Sequence, residues 1–240
     1  MDEPTKVKIC GITRRGDALL AARWGADFLG LIFSESPRRV TPEEAEAILA
    51  GFPYPAAWVG VFVNEPLEAV RIVVRRLHLQ WVQLHGCEDG DYAAALMQEA
   101  CVIKAFEVKG KSDLRAVERY PLPWVLLDSP KGPGPGWDPA LAAGVVARKK
   151  VFLAGGLTSE TRGETVRRLR PYAVDVARGV EASPGRKDPR KMREFIRAAK
   201  DPLKTREEGK MRRGYEGRNE ERERRSPTPA PPRKYERGLI

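Results

Sequence analysis

The chain of 240 residues is short of the residues that build the commoner covalent and metal frameworks. It has three cysteines, Cys10, Cys87 and Cys101, too few and too widely spaced for a disulfide scaffold or a zinc site. Reduced thiols point to the cytoplasm. Two histidines, His78 and His85, argue against a histidine-based metal centre. No apolar run approaches the roughly 20 residues that span a bilayer, so no membrane partner is expected. The opening Met1-Asp2-Glu3-Pro4 is acidic and leads directly into a β-rich run, unlike a signal peptide. Apolar residues are also scarce at the other end, where residues 201–240 hold only seven. A segment so poor in packing material is expected to be a disordered basic tail after a domain over residues 1–200. The tail carries 12 Lys and Arg against 8 Asp and Glu, out of a net charge of +10. Its charges are interleaved, which favours a solvated tail over a nucleic-acid arm; any nucleic-acid contact would be confined to it. The basic body suits an anionic substrate.

What the sequence does contain is alternation. Lys6 to Cys10 reads as a strand that ends in a thiol, and Gly11-Ile12-Thr13 supplies the turn and cap of a helix over Arg14–Trp24. Strands follow over Asp27–Phe33, Ala57–Val63, Gln80–Leu84, Cys101–Phe106, Trp124–Leu127, Val151–Ala154 and Ala173–Ala177. Between and after them lie helical patterns that start at Thr41-Pro42 and run over Pro66–Leu77, Asp91–Glu99, Asp113–Arg119, Pro139–Arg148, Ser159–Leu169 and Asp188–Lys200. Eight strands and eight helices in strict alternation within about 200 residues predict a single (β/α)8 TIM barrel, class α/β. A doubly wound sheet rarely needs eight regular units and would show polar edge strands, which this sequence lacks.

In such a barrel, strand ends and the loops after them share one mouth. The residues at those positions are Cys10, Arg38, Asn64, His85, Asp128, Gly155-Gly156 and Gly179: a thiol, a cation, polar positioners, an acid and glycine turns. Each alone has a plain structural explanation, a core thiol or a turn cap, but their convergence on one mouth does not. Glycine turns after strands seven and eight let backbone N–H groups approach a phosphate. Barrel closure also sets strand eight beside strand one. Lys8 and Asp175 are therefore expected to pair, because a lysine inside a barrel is costly without a partner.

Seven strings stand in order along the chain: Lys8-Ile9-Cys10-Gly11-Ile12-Thr13 and Gln83-Leu84-His85-Gly86, which are specific, and Gly30-Leu31-Ile32-Phe33 with Ser36-Pro37-Arg38, Gly60-Val61-Phe62-Val63-Asn64, Leu126-Leu127-Asp128-Ser129, Ala154-Gly155-Gly156-Leu157, and Val174-Asp175-Val176 with Gly179-Val180-Glu181. Together, from residue 6 to about 199, they make the chain resemble the phosphoribosylanthranilate isomerases of tryptophan biosynthesis. The resemblance implies an Amadori rearrangement of N-(5'-phosphoribosyl)anthranilate to 1-(o-carboxyphenylamino)-1-deoxyribulose 5-phosphate, an aldose–ketose isomerisation. It implies Asp128 as general acid and Cys10 as general base, Arg38 on the anthranilate carboxylate and Asp175 on the ribose hydroxyls. His85, Gly155, Gly156, Arg178 and Gly179 complete the substrate-binding set. It implies no cofactor and no metal, because the substrate nitrogen serves as electron sink, and a small-molecule substrate as the partner, with monomer and homodimer both open. An unperturbed thiol titrates at about 8.5 and an aspartic acid at about 3.9, so both are expected to shift toward neutrality, the thiol with help from nearby cations.

Two stretches depart from the resembled family. Gly132-Pro133-Gly134-Pro135-Gly136-Trp137-Asp138 is shorter than the usual loop and lacks its hydroxyl, and Ala177-Arg178 stands where two serines are usual. Arg178 either folds over the phosphate or points to solvent. Other phosphosugar barrels fit less well: an epimerase would want metal-binding histidines, and an indole-glycerol-phosphate synthase a catalytic lysine with paired glutamates. A non-catalytic barrel that binds RNA or a protein through its tail is the rival from another class.

Overall fold

A computed structural model describes residues 4–129, 139–155 and 166–200. The strands are β1 (Lys6–Ile9), β2 (Phe28–Ile32), β3 (Ala57–Phe62), β4 (Trp81–Leu84), β5 (Cys101–Glu107), β6 (Trp124–Asp128), β7 (Lys150–Ala154) and β8 (Ala173–Val176). All eight pair in parallel with their neighbours, and β8 closes on β1 to make a barrel. The helices are α1 (Arg15–Arg23), α2 (Pro42–Leu49), α3 (Leu67–Leu77), α4 (Gly90–Leu96), α5 (Lys111–Arg119), α6 (Pro139–Val146) and α7 (Pro189–Lys200).

Alternation along each strand sorts side chains between two layers. Phe28, Val59, Ile103, Ala105, Leu126, Phe152, Ala154 and Ala173 meet in one buried cluster within the barrel. Their outward neighbours, Leu29, Val82, Val102 and Val174 among them, pack against the helices. Local chemistry sets the helix ends. Thr41 Oγ1 accepts from Glu44 N at 3.2 Å while Thr41 N donates to Glu44 Oε2 at 2.8 Å, a reciprocal cap with Pro42 as the first helical residue.

Three expectations need correcting. α4 ends at Leu96 and not Glu99, because the chain turns back there, with Glu99 N donating to Leu96 O at 3.0 Å. β6 continues through Asp128, which pairs with Ala154 of β7 and Glu107 of β5, so the acid is the last residue of the strand and not the first of a loop. β8 stops at Val176 because the chain enters a 3-10 turn, Arg178–Val180, and then an unforeseen two-stranded hairpin, β9 (Glu181–Ser183) with β10 (Arg186–Lys187). Of the helix expected over Ser159–Leu169, residues 166–169 are helical and the remainder lies outside the described residues. Gly156, the loop at 132–138 and the segment 201–240 also lie outside them. Every described residue belongs to the compact unit Met1–Pro202.

Candidate active site

The carboxyl ends of the strands carry two polar clusters around one mouth, which adjoin where β7 pairs with β8. The first is built on β1 and β8. Cys10 follows β1, and its N–H donates to Val176 O at 2.8 Å, which ties the thiol residue to the end of β8. Its side chain has room because β2 presents Gly30 opposite. A Cβ at Gly30 would stand 2.9 Å from Cys10 Sγ and 3.3 Å from Lys8 Nζ, too close for any side chain. Below the thiol, Lys8 Nζ donates to Asp175 Oδ1 at 2.9 Å, with the lysine wholly buried. The pair expected from barrel closure is present, and the ladder sets Lys8 directly beside Asp175. Burial works hardest against the lysine's charge, but Asp175 and Cys10 together outweigh it and hold the ammonium above its ordinary value.

Burial pushes the Cys10 thiol up, and the charges of Lys8 and Lys187 only partly offset it. The expectation that nearby cations would bring this thiol down is thus reversed: the cations are in place, but loss of solvent dominates.

Arg38, in the loop after β2, donates from Nε to Glu181 Oε1 at 2.7 Å and from Nη2 to Glu181 Oε2 at 2.6 Å. Glu181 also accepts from Lys187 Nζ at 3.0 Å. Burial alone would raise the Glu181 carboxyl, yet the bonds and charges of Arg38 and Lys187 hold it below the usual carboxylate range. Lys187 reaches Cys10 O at 2.6 Å, and its own ammonium is pushed down by burial against the pull of Glu181.

The second cluster belongs to β4, β6 and β7. Gln83 Nε2 lies 2.8 Å from His85 Nδ1, and His85 Nε2 stands 3.8 Å from Asp128 Oδ2. Gly155 follows β7 at φ +69° and lies so close to Asp128 that a side chain there would collide with the carboxylate. Beside this cluster Lys104 is buried, with Nζ 3.3 Å from Glu88 Oε2 and donating to Gly86 O at 2.7 Å. Glu88 in turn accepts from Asn64 N at 2.8 Å and Gly86 N at 2.9 Å, which clamps the loops after β3 and β4 around His85.

The sequence-predicted residues therefore divide. Cys10, Arg38 and Asp175 gather on one side; His85, Asp128 and Gly155 gather on the other. Arg178 and Gly179 are exposed in the turn after β8. Sequence reasoning missed Gly30, Gln83, Glu88, Lys104, Glu181 and Lys187 as parts of the site. Two had a signal: Lys104 interrupts an apolar strand, and Ser183-Pro184-Gly185 announces the turn that brings Lys187 back to the mouth.

A family model described as N-(5'-phosphoribosyl)anthranilate (PRA) isomerase matches residues 7–198. The N-(5'-phosphoribosyl)anthranilate isomerase of Geobacter sulfurreducens is 48% identical over 203 residues, 81% of this chain and 98% of that one. The crystal structure of phosphoribosyl anthranilate isomerase from Thermotoga maritima superposes with a TM-score of 0.76 at 38% identity, covering 82% of this chain and 98% of that one. A phosphoribosyl anthranilate isomerase in complex with reduced 1-(o-carboxyphenylamino)-1-deoxyribulose 5-phosphate matches with a TM-score of 0.75, also at 38% identity and with the same coverage of both chains. Barrel, mouth and kinship agree: the chain belongs to the N-(5'-phosphoribosyl)anthranilate isomerase family.

Proposed function

We propose that the chain isomerises N-(5'-phosphoribosyl)anthranilate to 1-(o-carboxyphenylamino)-1-deoxyribulose 5-phosphate in tryptophan biosynthesis, with Asp128 as general acid and Cys10 as general base. One observation carries this reading: a thiol directly after β1 and a carboxyl at the end of β6 lie at the same mouth with β7 and β8 between them, so a substrate bound there can meet a proton donor and a proton acceptor. Asp128 gives its proton to the furanose ring oxygen as the C1–O bond breaks, and the nitrogen lone pair forms the C1=N bond of the Schiff base. The Cys10 thiolate takes the proton from C2; the C–H electrons become the C1=C2 bond, and the C1=N pair returns to nitrogen. The enolamine then gains a proton at C1 as its C2 hydroxyl becomes the ketone. The substrate nitrogen lends its lone pair when the ring opens and takes it back when C2 loses its proton, so the chemistry calls for neither metal nor cofactor.

Arg38 presents a planar cation to the anthranilate carboxylate. Asp175 faces the ribose hydroxyls, His85 supports Asp128, and the glycine turns at Gly155, Gly156 and Gly179, with Arg178 at their edge, receive the phosphate. The catalytic unit is residues 1–200, and residues 201–240 form an appended basic tail. The three cysteines are all free, as suits a cytoplasmic enzyme, and among the described residues no helix is long and apolar enough to cross a membrane. Expression in a tryptophan auxotroph that lacks this isomerase tests the reading: growth without tryptophan is expected, and failure of a stably folded protein to restore it would contradict it.

A further inference from the structure

Four donors converge on Glu181, which is 7% exposed: Arg38 Nε and Nη2, Lys187 Nζ, and Gly185 N at 3.4 Å. Lys187, 2% exposed, continues from this carboxylate to Cys10 O, and to Ala177 O at 3.3 Å. A single carboxylate thus links the guanidinium after β2 to the main chain of the residue that carries the thiol. Stability alone is a poor reason for such an arrangement, because a buried ionic network is often no better than an apolar replacement of the same shape. The geometry suggests a reason. Glu181 takes the Nε and Nη2 side of the guanidinium and leaves its Nη1 and Nη2 end free to meet a second carboxylate. The set of two cations and one anion stays net positive, as binding an anionic ring requires.

From this geometry we infer that Glu181 is a positioning residue for substrate recognition: it fixes Arg38 so that the open end of the guanidinium receives the aromatic carboxylate, and through Lys187 it holds that cation in register with Cys10. The inference rests on the isomerase reading above. It predicts a selective defect. A Glu181→Gln change replaces one acceptor with a donor facing Nη2, so Arg38 loses its fork while none of the groups placed on the phosphate is itself altered.

The test is calorimetric binding of two ligands to the full-length protein and to Glu181→Gln, with thermal melts to confirm folding. The reduced product analogue carries the aromatic carboxylate; ribose 5-phosphate lacks it. Loss of a charged hydrogen bond predicts a Kd for the analogue raised about 10- to 100-fold, with that for ribose 5-phosphate changed less than about two-fold. In turnover, KM should rise by more than kcat falls. Equal weakening of both ligands would show a merely structural role and overturn the inference, as would an unchanged Kd for the analogue. Should Glu181→Gln fail to fold, Glu181→Asp, which keeps the charge but shortens the reach, must show the same selectivity. A second arm repeats the comparison in an Arg38→Ala background, where the added Glu181 change should do nothing further; a full repeat of its effect there would also overturn the inference. If the unaltered protein neither binds the analogue nor turns the substrate over, the isomerase reading itself has failed and takes this one with it. Turnover by the unaltered protein with no ligand selectivity in the variants would sink the inference alone.

Discussion

At the carboxyl ends of the strands the barrel buries Lys8, Lys104 and Lys187, each against a carboxylate: Asp175, Glu88 and Glu181. At the amino ends the same barrel is closed by Phe28, Trp81, Trp124, Phe152 and Tyr172, packed ring against ring at 5.1 to 5.4 Å between centroids. A hollow of about 590 Å³ beside these rings holds two more lysines, both engaged: Lys6 with Tyr172, and Lys200 with Asp27 at 2.6 Å. The two ends differ in what they ask of the fold. Aromatic contacts tolerate small shifts and their loss costs packing; buried ion pairs must be matched in number and position, and that constraint fixes where the thiol, the guanidinium and the acid can sit.

Substitutions at the two ends should therefore separate activity from stability. The largest effect is expected at the mouth. Asp128→Asn should cut kcat by about 100- to 10,000-fold, since it removes a proton donor, with a melting temperature close to that of the unaltered protein. Near-normal turnover would remove Asp128 from the mechanism. At the other end, Phe152→Ala should cost about 3–5 kcal/mol of stability by leaving a cavity, seen in denaturant unfolding, while kcat of the folded fraction stays within a factor of a few. Lys8→Met sharpens the contrast, because it leaves Asp175 buried without its partner and should cost about 3–5 kcal/mol and activity as well.

A smaller effect concerns pH. If Cys10 is the base proposed above, it must act as the thiolate; burial raises its pKa, so kcat/KM should keep climbing as pH rises past about 8.5, the ordinary thiol value. Lys187 opposes that rise, so Lys187→Met should move the limb further to the alkaline side. A limb below the ordinary thiol value would mean that the cations dominate after all. The smallest effect is expected for truncation after Lys200, which should leave the melting temperature and kcat/KM nearly unchanged; a loss of several degrees would show that residues 201–240 pack.

The ends also differ in how much of them the sequence discloses. Eight alternating units and β1–β8 closure could be read from periodicity, and closure was enough to pair Lys8 with Asp175. Cys10, His85 and Asp128 were legible because a strand end in a barrel is an address that spacing alone provides. Glu181 and Lys187 were not, because their role depends on a hairpin that doubles back after β8, and no periodic pattern reports a two-residue strand. Nor could spacing show that burial would outweigh two cations at Cys10, since a thiol's solvation depends on what the folded barrel places around it. Gly30 is legible only in reverse: it reads as an ordinary strand residue until the thiol across from it is in place.

The claim at the centre of this account is that the mouth, and Cys10 in particular, moves the C2 proton. The single-turnover rate of Cys10→Ala on N-(5'-phosphoribosyl)anthranilate, measured beside Phe152→Ala under the same conditions, tests it most directly. The account predicts a fall of at least about 100-fold for Cys10→Ala with its melting temperature preserved, and the reverse pattern for Phe152→Ala, a lowered melting temperature with its rate preserved. A Cys10→Ala protein that turns the substrate over at close to the unaltered rate would contradict it.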